Sequence, residues 1–316
     1  MSLLNSLYQG IILAGPTGSG KSSLALELAT SLAPSQPAEI INADSMQIYK
    51  DLSIITARPT VEDCAAVPHH LYGVAEADHK GSAGWWVEKA EKQIEACQKR
   101  HVLPIIVGGT GLYLNTLVNG LSSIPKIESD LRQHVRDLSE QLGNNFYAYV
   151  ANYDSLVIER LKPKDHHRLQ RALEVYLQTG KSIYWWHAHI PAPRYSFLYC
   201  LLLPAREQLY QRINDRFDKM IHEGGLEEVR YLQTLSIDDD SPILKAIGVK
   251  ELTAFLKGEY ELPTAVELAK RNSRRYAKRQ LTWFRHQVSK KVVLESSELS
   301  ILRSMISEKV NINGLG

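Results

Sequence analysis

The sequence predicts an α/β protein, a parallel sheet flanked by helices, with a helical insertion domain part-way along the chain. Three observations lead there. A glycine-rich loop sits between a short apolar run and an amphipathic helix. Apolar runs then alternate with helical stripes. A long, strandless, basic stretch breaks that alternation before it resumes. A chain of 316 residues, 44% hydrophobic, can bury the core that such a fold needs.

The apolar run Gly10–Ala14 fits a strand buried on both faces. It feeds Gly15-Pro16-Thr17-Gly18-Ser19-Gly20-Lys21-Ser22, which fits G-x-x-x-x-G-K-[ST], the phosphate-cradling P-loop. A helix over 22–32 follows, with Leu24, Leu28 and Leu32 at helical spacing. In that setting backbone N–H groups and a helix N-terminus hold a phosphate. Lys21 adds a point charge, and the Ser22 hydroxyl can hold Mg²⁺. The matching architecture is a P-loop NTPase-like sheet. Residues 38–43 read as a second strand ending at Asp44, and Trp86, Ala90, Ile94 and Cys97 as a helical stripe. Residues 102–107 read as a third strand running into Gly108-Gly109. Ligands of such sheets sit at the C-terminal strand ends, so Asp44 and Gly108-Gly109-Thr110 should face the P-loop.

The rhythm then changes. Residues 121–195 are assigned to a helical insertion, and 1–120 with 196–316 to the core. Within the insertion Asp165 can cap a helix running to Thr179, where Gly180 is a natural stop. Residues 187–194, with Pro191 and Pro193, read as a linker, and 197–203 as a strand that returns to the sheet. Helices follow, one of them ended by Gly224-Gly225.

The formal net charge of +2 excludes nothing by itself, so any nucleic-acid signal must come from local clustering. Cys64, Cys97 and Cys200 are widely spaced, which argues against a disulfide framework or a structural zinc site. The first residues lack the basic segment of a signal peptide, and no apolar stretch is long enough to span a bilayer. These features lead us to expect a soluble, cytoplasmic protein with no membrane partner.

Asp44, in Asn42-Ala43-Asp44-Ser45-Met46-Gln47, places a carboxylate beside the P-loop, as an Mg²⁺ ligand or as a general base. Met46 and Gln47 can pack beside a base and hydrogen-bond it. The turn Gly108-Gly109-Thr110-Gly111 offers N–H groups and a hydroxyl. Arg212 and Arg216 share a face of a helix over 206–220, where arginine can stabilise developing negative charge. Over 271–286 a helix carries Arg271, Arg275, Lys278, Thr282 and Arg285 in one arc, with Ala277, Leu281, Phe284 and Val288 as its apolar stripe. That basic arc suits a phosphate backbone. Arg160, Lys162, Lys164, Arg168 and Arg171 form a second basic cluster, in the insertion. Trp85-Trp86 and Trp185-Trp186 read as core or interface residues. From these residues alone, a small-molecule P-loop kinase and a nucleotide-binding RNA-associated protein remain alternatives to a transferase.

Nine strings in order resemble the bacterial tRNA dimethylallyltransferase family: GPTGSGKS, NADSMQIYK, TARPT, PHHL, VGGTGLYL, DHHRLQRALEVYLQTGK, RINDRFDKMIHEGGLEEV, AIGVKEL and YAKRQLTWFR. The resemblance implies transfer of a dimethylallyl group from dimethylallyl diphosphate to N6 of adenosine 37 of tRNA, just 3′ of the anticodon. It implies catalytic roles for Asp44, Arg216 and Thr17, with Asp44 as the base. Gly15, Thr17, Gly18, Ser19, Gly20, Lys21, Ser22 and Thr110 would bind the diphosphate, with Ser22 on Mg²⁺. Asp44, Ser45, Met46, Gln47 and Thr110 would meet the tRNA on the adenine side. Arg132, His167, Arg168, Leu169, Gln170 and Arg171 in the insertion would also touch it, as would Arg271, Arg275 and Lys278. The expected partners are the anticodon stem-loop and the donor, and the expected state is a monomer. The sequence departs from the family at Ser22, where threonine is commoner. It departs again after His69-His70-Leu71, where Ala77-Asp78 and Ser82-Ala83-Gly84-Trp85-Trp86 replace the usual pattern.

Overall fold

The computed structural model describes residues 8–33, 35–192, 194–288 and 291–294, together with 300, 302, 304 and 305. Pro193, part of the expected linker, lies outside the described residues. The chain begins β1 (Gly10–Ala14), α1 (Lys21–Leu32), β2 (Ala38–Asn42), α2 (Val61–Ala66), β3 (His69–His70), α3 (Ala83–Lys99), β4 (Leu103–Gly108) and α4 (Gly111–Asn119). Five helices follow: α5 (Ser129–Leu142), α6 (Phe146–Tyr153), α7 (Leu156–Arg160), α8 (His166–Thr179) and α9 (Ile183–Ala188). Then come β5 (Phe197–Leu202), α10 (Arg206–His222), α11 (Gly225–Leu232), α12 (Val249–Leu256), α13 (Leu262–Gln287) and β6 (Val292–Leu294).

The strands form one sheet in the order β3-β2-β4-β1-β5-β6, and every pairing in it is parallel. Alternate residues of each strand point to opposite faces. Ile12, Ile41, Ile106 and Leu201 pack on one face with Trp86, Leu114 and Phe284. Ile11, Leu13, Ile40, Ile105 and Cys200 pack on the other with Leu24 and Leu28. Both faces are covered, which is why β1, β4 and β5 read as near-continuous apolar runs. β1 lies between β4 and β5, so the chain crosses to opposite sides of it. Its C-terminal end is therefore the topological switch point at which such sheets bind ligands.

β3 and β6 escape the sequence reading because they are too short to show a period. β3 is held by its partner strand: Glu39 of β2 accepts from the His70 ring at 2.8 Å. The Arg100 guanidinium, bonded to the same carboxylate at 2.6 and 2.7 Å, pulls the Glu39 carboxyl down to about 2. His70 of the PHHL string thus anchors an edge strand.

Residues through Val118 and from Arg194 onward form one compact unit, and Asn119–Pro193 form a second. The second is all-helical among its described residues, around a core of Val135, Phe146, Val150, Leu169 and Leu173. Two details correct the reading of this unit. Asp165 sits at the N-cap position of α8 but makes no side-chain cap; its carboxylate pairs with Arg168 at 3.3 Å instead. His187 belongs to α9, so the linker starts after Ala188. Gly180 does end α8, in the left-handed conformation at φ 68°. Among the described residues no helix is long and apolar enough to cross a membrane.

Candidate active site

Two glycine-rich turns and two helices meet at the C-terminal end of β1. The P-loop turns back on itself through Gly18 and Gly20, whose φ angles of 79° and 89° lie in the region that suits glycine. α1 starts at Lys21, directly after Gly20. The positive end of its dipole is therefore aimed at whatever the loop holds. The Ser19 hydroxyl is buried with no hydrogen-bond partner among the described residues, a polar group left for a ligand to satisfy. Lys21 Nζ rests on the Pro16 carbonyl at 3.3 Å.

Asp44 follows β2. Asn42 fixes it from both sides of its backbone: the Asn42 side chain accepts the Asp44 N–H at 2.8 Å and donates to the Asp44 carbonyl at 3.0 Å. One carboxylate oxygen of Asp44 accepts the Met46 N–H at 2.9 Å, leaving the other for chemistry. The Thr110 hydroxyl accepts the Ser45 N–H at 2.9 Å and donates to Ser45 Oγ at 3.2 Å, so the second glycine turn braces the Asp44 segment. The same turn is pressed from above by α13. A Cβ on Gly109 would collide with the Gln280 amide, and one on Gly111 would lie 2.5 Å from Trp283. Close approach of a helix, rather than ligand binding alone, explains those glycines.

Arg212 and Arg216 reach the P-loop from α10, as their shared face predicts. Arg216 donates to the Thr17 hydroxyl, and Arg212 to the Ser19 carbonyl at 3.4 Å. Enclosure pushes the Lys21 ammonium down to about 8; Asp44 opposes that shift and Arg216 adds to it. The sign gives a prediction. The ligand-free Lys21 is charged below about pH 8 and loses its proton above it, so affinity for a diphosphate should fall as pH rises through that value. Binding at pH 8.5 should take up a proton, seen by calorimetry in buffers of different ionisation enthalpy. Lys21→Met should abolish that uptake, and its survival in the variant would assign the proton elsewhere.

Beside these groups lies a cavity of about 220 Å³. Thr17, Asp44 and Arg216 line its polar side, and Ile55, Ile213, Phe217 and Met220 supply an apolar wall. The loop that carries Ile55 is clamped from α11. The Glu228 carboxylate accepts the N–H groups of Ser53, Ile54 and Ile55 at 2.5, 2.9 and 2.8 Å. Tyr276 and Arg279 of α13 close another side. Burial and the nearby Asp44 charge both push the Tyr276 hydroxyl upward, so it is a neutral donor at physiological pH.

A family model described as IPP transferase matches residues 47–287, and one described as isopentenyl transferase matches 9–71. The chain belongs to the IPP transferase family. Relatives named tRNA dimethylallyltransferase include that of Nitrobacter hamburgensis, 45% identical over 88% of both chains. That of Ehrlichia canis is 43% identical over 88% of this chain and 91% of its own. The crystal structure of full-length tRNA isopentenylpyrophosphate transferase from Bacillus halodurans superposes with TM-score 0.68 at 31% identity, over 95% of each chain. A eukaryotic dimethylallyltransferase captured acting on tRNA superposes with TM-score 0.81 at 29% identity, over 94% of this chain and 77% of that one.

In this IPP transferase the residues expected to touch RNA divide into three kinds. Arg132, His167 and Arg168 are exposed, as are Arg271, Arg275 and Lys278. Gln170 and Arg171 are half-buried, with Arg171 paired to Glu174 at 3.1 Å. Leu169 is corrected: it is fully buried in the core of the insertion unit, so it holds α8 in place instead of touching RNA. Gln47 is also reassigned in part. Both of its amide donations go to the Thr56 and Ala57 carbonyls, at 2.9 and 2.8 Å, and its side chain ties down the loop of the apolar wall. Met46 does line the cavity. Trp86 is fully buried, donates to the Asn42 carbonyl at 2.8 Å and stacks on Tyr113, so the departure from the family pattern there is a core substitution beneath the Asp44 segment. Sequence reading assigned no role to Gln280, Glu228 or Tyr276, although all three fall within the strings that carry the family resemblance. α13 starts at Leu262, nine residues before the basic run; Pro263 in its first turn was the available signal.

Proposed function

We propose that this IPP transferase moves a dimethylallyl group from dimethylallyl diphosphate to N6 of the adenosine at position 37 of tRNA. One observation carries the reading. Thr17 of the phosphate loop, the Arg216 guanidinium, a positioned carboxylate and an apolar wall line one small cavity, which suits a short apolar chain attached to a diphosphate. The adenine amine attacks C1 of the donor as the C1–O bond breaks. The N6 proton passes to Asp44, and diphosphate leaves. The allylic carbon tolerates the positive charge that develops, so the site must align the partners and neutralise the leaving group; no covalent nucleophile is needed. Thr17, Arg216, Lys21 and the α1 N-terminus perform the neutralisation. The target base is stacked in the anticodon loop and must be turned out to reach the cavity.

Mg²⁺ fits this donor set in one way. Among the described residues no cluster of three His, Cys, Asp or Glu side chains could hold a metal alone. The chain therefore suits a cation that arrives on the diphosphate and takes the Ser22 hydroxyl as a protein ligand. When bound, the ion would add positive charge at the departing oxygens. We place the enzyme in the cytoplasm, where cysteines as widely spaced as Cys64, Cys97 and Cys200 suit a reducing medium, and read it as a monomer gripping the anticodon stem-loop.

The deciding experiment incubates the protein with unmodified tRNA, dimethylallyl diphosphate and Mg²⁺, and follows digested nucleosides by mass spectrometry. A dimethylallyl mass gain on adenosine is expected. No gain, with ATP-dependent phosphorylation of a small metabolite instead, would return the site to the kinases. Arg271 and Arg275, both exposed on α13, give a second prediction. Changing both to Ala should weaken tRNA binding and lower the slope of log affinity against log salt by roughly one unit per lost phosphate contact. An unchanged slope would make that arc a solvated surface.

A further inference from the structure

One side chain of α13 touches both halves of the site. Gln280 is buried. Its Oε1 accepts the Thr17 N–H at 2.9 Å, and its Nε2 donates to the Gly109 carbonyl at 2.8 Å. Thr17 is thus gripped twice, through its backbone by Gln280 and through its hydroxyl by Arg216. Gly109 leads into Thr110, whose hydroxyl takes the N–H of Ser45 at 2.9 Å, next to Asp44. A run of hydrogen bonds therefore connects the leaving-group cradle to the segment that carries the base.

We propose that Gln280 is a positioning residue that sets the distance between the departing diphosphate and the attacking amine. The inference rests on the prenyl-transfer reading above. In-line displacement requires nucleophile, carbon and leaving oxygen to be aligned, and a misplacement of about 1 Å costs roughly 10²-fold in rate. The partners make opposite demands, an N–H on one side and a carbonyl on the other. A planar amide meets both with one acceptor and one donor. It also occupies the Thr17 N–H, which takes that group out of the set of loop N–H groups available to a ligand.

Two variants test this. Gln280→Met keeps the volume and loses both bonds. Its kcat should fall about 10- to 100-fold, while the KM for dimethylallyl diphosphate and the Kd of inorganic diphosphate stay within about threefold. Gln280→Glu carries a pH signature. As a carboxylate it can accept from Thr17 but sets a second lone pair against the Gly109 carbonyl. Once protonated, it donates there and reproduces the glutamine pattern. Burial and that carbonyl both raise its pKa. Its kcat relative to the native enzyme at the same pH should therefore rise several-fold between pH 8 and 6. The charged groups around the cradle, Lys21, Asp44, Arg212, Arg216 and Arg279, are common to both proteins, so the ratio isolates position 280. A Met variant with kcat within about threefold of native, a loss confined to donor KM, or a pH-independent ratio for the Glu variant would overturn the proposal. Should the Met variant unfold, the ratio for the Glu variant still decides. A native protein that transfers no prenyl group takes down both readings, and is recognised because the failure appears before any substitution.

Discussion

Replacing Asp44 with Asn is expected to lower kcat by roughly 10²- to 10⁴-fold, the usual contribution of a positioned general base, with tRNA affinity nearly unchanged. The geometry makes the substitution clean. An asparagine oxygen can still accept the Met46 N–H that Asp44 Oδ1 accepts at 2.9 Å, and the two bonds from Asn42 run to the backbone. The local fold should survive while the group proposed to take the N6 proton disappears. Single-turnover kinetics with prebound tRNA, alongside a filter-binding isotherm, separates the two effects. Near-native single-turnover rates would place the base elsewhere.

Arg216→Gln should produce a loss of similar size, about 10²- to 10³-fold in kcat, for a different reason. Burial lowers the Arg216 guanidinium pKa and the Asp44 charge opposes that; its ordinary value is so high that it stays charged. Held against the Thr17 hydroxyl, it would, in the proposed reaction, meet the oxygen on which charge grows as the donor breaks. Arg216→Lys should recover little, because an ammonium lacks the planar fork. A second readout is independent of turnover. Arg216 helps hold the Lys21 ammonium down at about 8, so in Arg216→Gln the pH midpoint for diphosphate binding should move upward. A midpoint that stays put would mean the two side chains do not share a site in solution.

The sheet was legible because burial on both faces writes itself into sequence as near-continuous apolar runs; β1, β4 and β5 announced themselves this way, and β2 by its place in the alternation despite Glu39. β3 could not be read, since two histidines carry no period and one of them, His70, is held by Glu39 across the strand. The P-loop and Asp44 were readable because their chemistry demands particular residues at fixed local spacing. Arg216 was readable on the same helix face as Arg212. Leu169 misled because a contiguous family string was carried over whole, and on a helix a contiguous string always includes residues that point inward. Gln280 and Tyr276 were illegible for the opposite reason. Both lie in the YAKRQLTWFR string, but a string marks membership and not role; their significance lies in what α13 lies against.

The bond between Thr17 and Gln280 joins positions 263 residues apart, and this has a consequence during synthesis. A growing chain on the ribosome displays its P-loop early, but the cradle stays unbraced until nearly the whole polypeptide has emerged. Contacts of such long sequence separation are also among the slower ones to form. A prematurely terminated product that stops short of α13 would carry the phosphate-binding motif yet lack the brace, the Tyr276 wall and the basic arc together. Such a fragment would be unable to draw on the cell's isoprenoid pool.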